Sequence, residues 1–183
     1  FQIKTYLCFF NIEIYEMKKN LVLIGMMGSG KSTIGRLLSD KTKLNLIDTD
    51  KLIEKETNLK IEDIFEKKGE FFFRKIEEKI TLESLKSSNN IIAVGGGTFL
   101  NDKIRKQITN NCISIWLNWS EQILIPRIKN SKKRPKAYLL KDKDLKKLIN
   151  DRSKIYSKAD YKINCDSLGK NEIISKILKI YEK

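Results

Sequence analysis

Eight residues near the start of this chain, Gly25-Met26-Met27-Gly28-Ser29-Gly30-Lys31-Ser32, constrain its fold more than any other stretch. They match G-x-x-x-x-G-K-[ST] in full. An apolar run at 21–24 precedes them and an amphipathic stretch follows, so strand, glycine-rich turn and helix come in the order of a phosphate-binding loop. In such a loop the glycines let backbone N–H groups point inward, and the helix N-terminus adds partial positive charge around a polyphosphate. Lys31 is placed to reach the β- and γ-phosphates of a nucleoside triphosphate and Ser32 to ligate Mg²⁺. By residue frequencies a chance match in a chain of 183 residues is on the order of one percent.

The rest of the chain repeats the alternation. Short apolar runs at 21–24, 44–47, 91–94, 112–117 and 161–165 read as strands. Helical stretches cover 31–41, 61–68 leading into a longer helix through 86, 102–109, 121–128, 142–157 and 171–181. Runs such as LVLI and IIAV are apolar at every position, as strands covered on both faces are, so the expected fold is α/β with a parallel sheet. The length suits one domain, expected over 17–183. Residues 1–16 precede Met17 and are expected to be an extension, non-native or disordered.

Composition narrows the chemistry. Histidine is absent, which excludes serine–histidine triads and the common zinc sites. Cys8, Cys112 and Cys165 are far apart and read as reduced thiols, so the expected setting is cytoplasmic. No apolar run approaches the ~18 residues that span a bilayer, and no membrane partner is expected. Lys and Arg number 37 against 23 acidic residues, a formal charge of +14 that lies mostly beyond Arg127. Such a field draws polyanions. Base stacking would need aromatic residues among the basic ones, and only Tyr138 lies between Arg127 and Arg152, so a phosphorylated small molecule is expected and nucleic acid is not.

A GTPase would show a guanine-reading N-K-x-D, which is absent. The second strand instead ends in Asp48-Thr49-Asp50, two carboxylates at the edge where open α/β sheets bind ligands. Asp48 can hold a magnesium shell while Asp50 faces an acceptor hydroxyl; an Asx turn or helix N-cap before Lys51 explains the pair equally well. Arg74 and Glu77 stand three apart, a spacing that lets the carboxylate hold the guanidinium. Gly95-Gly96-Gly97 ends the third strand and bares the backbone to a ligand.

The ordered set G-x-x-G-x-G-K-[ST], D-x-D, G-E-x-x-F-R-x-x-E and G-G-G, with Arg134-Pro135 in a basic loop and R-x-x-x-Y-x-x-x-A after it, resembles shikimate kinase over 17–183. The resemblance implies a three-layer, adenylate-kinase-like P-loop kinase fold, with a five-stranded parallel sheet flanked by helices and a mobile lid at about 130–141. It implies transfer of the γ-phosphoryl of ATP to the 3-hydroxyl of shikimate, with Mg²⁺, by a monomer. Residue by residue, it places Gly28, Ser29, Gly30, Lys31, Ser32 and Thr33 on the nucleotide phosphates, with Arg127 nearby, and Ser32 and Asp48 on the metal. Asp50 would hold the acceptor hydroxyl, and Arg74 and Arg152 the shikimate carboxylate, in a pocket lined by Gly95, Gly96 and Gly97. Arg134 would reach the transferring phosphate. The sequence departs from the family where Lys136-Ala137-Tyr138 separate Arg134-Pro135 from Leu139-Leu140. Another small-molecule kinase of this fold, such as a gluconate kinase, is the alternative.

Overall fold

In the computed structural model, which describes residues 19–130 and 140–182, five parallel strands form one sheet. They are β1 (Asn20–Ile24), β2 (Asn45–Asp48), β3 (Asn90–Ala93), β4 (Cys112–Asn118) and β5 (Tyr161–Asn164), in the order β2-β3-β1-β4-β5. Leu21 is level with Ile91 on one side of β1 and with Ile113 on the other. The helices are α1 (Lys31–Thr42), α2 (Thr49–Thr57), α3 (Ile61–Lys67), α4 (Gly69–Ser84), α5 (Asp102–Asn111), α6 (Glu121–Lys129), α7 (Asp142–Tyr156) and α8 (Lys170–Tyr181).

Every residue of β1 is buried because the sheet is covered on both faces. Leu21 and Leu23 pack with Ile34 and Leu38 of α1 and Ile173, Ile174 and Ile177 of α8. Val22 and Ile24 point the other way, into a core with Ile104 of α5, Leu124 and Ile128 of α6 and Leu145 and Tyr156 of α7. The period-two alternation of a strand thus divides one apolar run between two cores. A third, smaller cluster of Ile53, Ile64, Phe73 and Ile80 joins α2, α3 and α4 into a unit beside the sheet. That unit forms one wall of the site described below.

The expected strands are all present, within a residue or so of their expected limits. Two elements differ from the sequence reading. The chain enters α2 directly from β2, so Asp48-Thr49-Asp50 is the strand-to-helix junction itself. Asp48 accepts a hydrogen bond from Lys51 N at 3.3 Å as the N-cap. The run 61–86 is two successive helices as expected, parted where Gly69 takes φ +79 and re-aims the chain, with the second ending at Ser84, short of Lys86. A short 3₁₀ turn, Thr98–Leu100, was not anticipated.

Cys112 and Cys165 are both buried and free. Burial, with Asp160 adding to it, pushes the Cys112 thiol up to about 11, and burial with Asp166 pushes that of Cys165 up to about 12. A raised pKa keeps the unreactive thiol form through neutral pH. Iodoacetamide at pH 8 is therefore expected to leave both unmodified in the native protein and to label both after denaturation, as read by peptide mass spectrometry. Rapid labelling of either one in the native state would contradict this burial.

Candidate active site

The loop between β1 and α1 closes on itself through a hydrogen bond from Ser29 N to Met26 O at 3.1 Å. Gly28 and Gly30 hold φ near +80 and +87, where a side chain would be strained. The Lys31 ammonium donates to the carbonyls of Gly25 (2.8 Å) and Met26 (3.0 Å) and so lies folded over the loop. Around it is a cavity of about 240 Å³ lined by Gly28, Gly30, Lys31, Ser32, Thr33, Asp48 and Asp50.

A second cavity, of about 630 Å³, is lined by Asp50, Arg74, Gly95, Gly96, Gly97 and Arg152, with Phe65, Phe73 and Leu148 among its apolar walls. Met27 and Asp50 line both cavities, so the two adjoin at these residues. Asp50 is fixed by its neighbour. Thr49 is fully buried, its hydroxyl donating to Ala93 O at 3.4 Å and accepting from Gly95 N at 3.3 Å. This seam ties the start of α2 to the end of β3.

Arg74 is held by two carboxylates. It donates to Glu77 at 2.7 Å and to Glu70 at 3.0 Å, and the other oxygen of Glu77 accepts from the Thr98 hydroxyl at 2.7 Å. Burial alone would lower the Arg74 pKa, but the charges and hydrogen bonds of Glu77 and Glu70 outweigh it and the net shift is upward. The guanidinium is charged at every working pH. The glycines beside it are required by space: a Cβ on Gly97 would collide with the Arg74 guanidinium, and one on Gly95 would lie 2.8 Å from Glu77 Oε1 and 2.9 Å from Asp50 Oδ1.

Arg152 and Tyr156 stand one turn apart on α7 and both reach the carbonyl of Gly96, Arg152 through Nη1 at 3.4 Å and Tyr156 through its hydroxyl. The Arg152 Nε is buried with no hydrogen-bond partner among the described residues. An N–H left in that condition costs free energy that a ligand acceptor recovers. On the nucleotide side, α6 packs against the P-loop, so that a Cβ on Gly28 would lie 3.5 Å from Arg127 Cβ. The Arg127 guanidinium lies over the Trp119 ring, 4.0 Å from its centroid.

The structure thus brings Gly28, Gly30, Lys31, Ser32, Thr33, Asp48, Asp50, Arg74, the three glycines and Arg152 to two adjoining cavities, with Arg127 beside the first, while Ser29 is buried and lines neither. Arg134 and nearly all of the lid at 130–141 lie outside the described residues. Sequence reasoning gave no role to Thr49, Thr98, Trp119 or Tyr156. Thr49 was flagged only by the acids on either side of it, and Tyr156 only by its place four residues after Arg152.

The family model for shikimate kinase matches residues 27–182. A shikimate kinase of Thermodesulfovibrio yellowstonii is 36% identical over 166 residues, covering 90% of this chain and 96% of that protein. One from Persephonella marina is 38% identical over 162 residues, covering 87% of this chain and 97% of its own length. The solved structure of a shikimate kinase from Acinetobacter baumannii in complex with shikimate superposes with a TM-score of 0.84 at 29% identity, over 91% of this chain and 94% of that one.

Proposed function

The chain belongs to the shikimate kinase family and phosphorylates the 3-hydroxyl of shikimate at the expense of ATP, and from that premise we propose how its residues divide the work. The observation that carries the assignment of roles is the junction of the two cavities at Asp50. A phosphoryl donor in the smaller cavity and a hydroxyl acceptor in the larger one meet beside a carboxylate.

The backbone of Gly28 to Ser32, with Thr33, cradles the phosphates, and Lys31 leaves the carbonyls of Gly25 and Met26 to neutralise the charge that develops on the transferring group. Arg74 and Arg152 both line the acceptor cavity and hold the shikimate carboxylate, for which the guanidinium fork is suited. Asp50 accepts the proton of the 3-hydroxyl as its oxygen bonds to phosphorus and the bond to the ADP oxygen breaks. Arg127 attends the nucleotide, and Arg134 is assigned to the transferring phosphate by the resemblance alone.

Ser32 and Asp48 line one cavity with the P-loop, and a hydroxyl plus a carboxylate is an oxygen donor set suited to Mg²⁺, which binds through few protein ligands and keeps phosphate oxygens and water for the rest. Bound there, the ion would neutralise charge on the phosphates. Among the described residues no group of three or more acidic, cysteine or histidine side chains forms a metal cage, and no helix is long and apolar enough to cross a membrane. We place the enzyme in the cytoplasm as a monomer.

An ADP-release assay with shikimate, gluconate, a nucleoside monophosphate and no acceptor tests the reading. Turnover with shikimate only is expected; turnover with gluconate would move the chain to the alternative kinase. Within the acceptor cavity, Arg74→Lys and Arg152→Lys are each expected to raise KM for shikimate about tenfold or more and KM for ATP less than about twofold, since lysine keeps the charge and loses the bidentate fork. Movement of the ATP constant instead would assign these arginines to the nucleotide. Gly97→Ala is expected to act like them, by displacing Arg74 without removing it.

A further inference from the structure

Trp119 stands between β4 and α6, at the carboxyl edge of the sheet. Its half-buried ring packs against both main cores, which fixes its position. From there it touches the nucleotide side twice. Its indole Nε1–H donates to the carbonyl of Ser29 at 3.0 Å, across 90 residues of sequence, and its face lies under the Arg127 guanidinium at 4.0 Å.

The first contact has a directional consequence. A trans peptide sets its C=O and N–H on opposite sides, so a carbonyl of Ser29 held toward Trp119 turns the Gly30 N–H the other way. Gly30 lines the phosphate cavity, whereas Ser29 is nearly fully buried. The second contact holds the Arg127 guanidinium over an aromatic face. We propose that Trp119 is a positioning residue for the nucleotide: one indole orients the Ser29–Gly30 peptide and Arg127 together, and so sets affinity for ATP and ADP without bearing on shikimate. The inference rests on the assignment of the smaller cavity to ATP.

Trp119→Phe keeps an aromatic face and loses the N–H, while Trp119→Leu loses both. Losing one neutral hydrogen bond corresponds to about three- to tenfold in binding, so the Phe variant is expected to raise KM for ATP and the calorimetric Kd for ADP by about that factor. The Leu variant should raise both further. KM for shikimate is expected to stay within about twofold in each. A purely structural role would lower Tm and move both substrate constants together, or neither, and either result overturns the proposal. If the Leu variant does not fold, the Phe variant still decides.

Fluorescence gives a second reading. The chain has two tryptophans, and the other, Trp116, is buried in the core 6.0 Å from Tyr156 and lines neither cavity. Saturating ADP is expected to change the emission of the wild type and not that of Trp119→Phe; a change that persists in the variant overturns the proposal. Wild-type protein that binds no ADP at all would instead refute the kinase reading, so the two failures are distinct.

Discussion

Replacing Lys31 with alanine is expected to lower kcat by about 100-fold or more, the usual cost of removing a charge aimed at a developing oxyanion. The fold should survive. The lysine's hydrogen bonds to the Gly25 and Met26 carbonyls stay within its own loop, and the Met26 side chain is held in the core by apolar packing that the lysine does not supply. Far-UV circular dichroism and Tm close to wild type, together with the lost turnover, would assign the effect to chemistry. Retention of more than about a tenth of kcat would remove the P-loop from the mechanism. Because alanine also removes the hydrogen bonds to the Gly25 and Met26 carbonyls, the second of which keeps its bond from Ser29 N, Kd for ADP is the informative companion measurement, and it should rise far less than kcat falls.

Asp50→Asn is expected to cost about 10²- to 10⁴-fold in kcat, the range over which a positioned general base contributes. Asparagine is nearly the same size and still accepts a hydrogen bond, but it cannot take a proton. KM for shikimate should therefore change only a few-fold. Thr49 continues to lock the junction to Ala93 and Gly95 whatever stands at position 50, so the geometry is preserved. If kcat stays within tenfold of wild type while KM rises steeply, Asp50 holds the hydroxyl without deprotonating it. The contrast with Arg74→Lys, where KM moves and kcat does not, separates grip from chemistry within a single cavity.

What could be read from the sequence was what is local along it. The P-loop lies within eight residues, the Arg74–Glu77 pair within one helical turn, and the glycine triplet is contiguous. Each carries its own geometry, and each is where it was expected. The strands were recognisable because a run buried on both faces has nowhere to put a polar side chain. What could not be read depends on register between distant segments. Trp119 meets Ser29 only because β4 lies beside β1, with Trp116 level with Ile24. Tyr156 reaches Gly96 only because α7 crosses the end of β3. The N-cap before Lys51 was one of two readings of Asp48-Thr49-Asp50 and is what the structure has, but the helix α2 it opens was not read, because these residues serve strand, cap and cavity wall at once.

The strand order also carries a consequence for how the chain acquires its shape during synthesis. β1 leaves the ribosome first among the five strands, yet its two neighbours are residues Asn90–Ala93 and Cys112–Asn118. From Ile24 until Asn90 is made, the most apolar strand of the molecule has neither of its eventual partners, and until Cys112 is made it has only one. The Ser29 carbonyl likewise waits for residue 119. Loop closure over such spans is slow compared with local helix formation, so a nascent chain stopped before β4 presents an unpaired apolar edge and a nucleotide loop without its lateral support. The nucleotide loop acquires its support from Trp119 only once the fourth strand has been made.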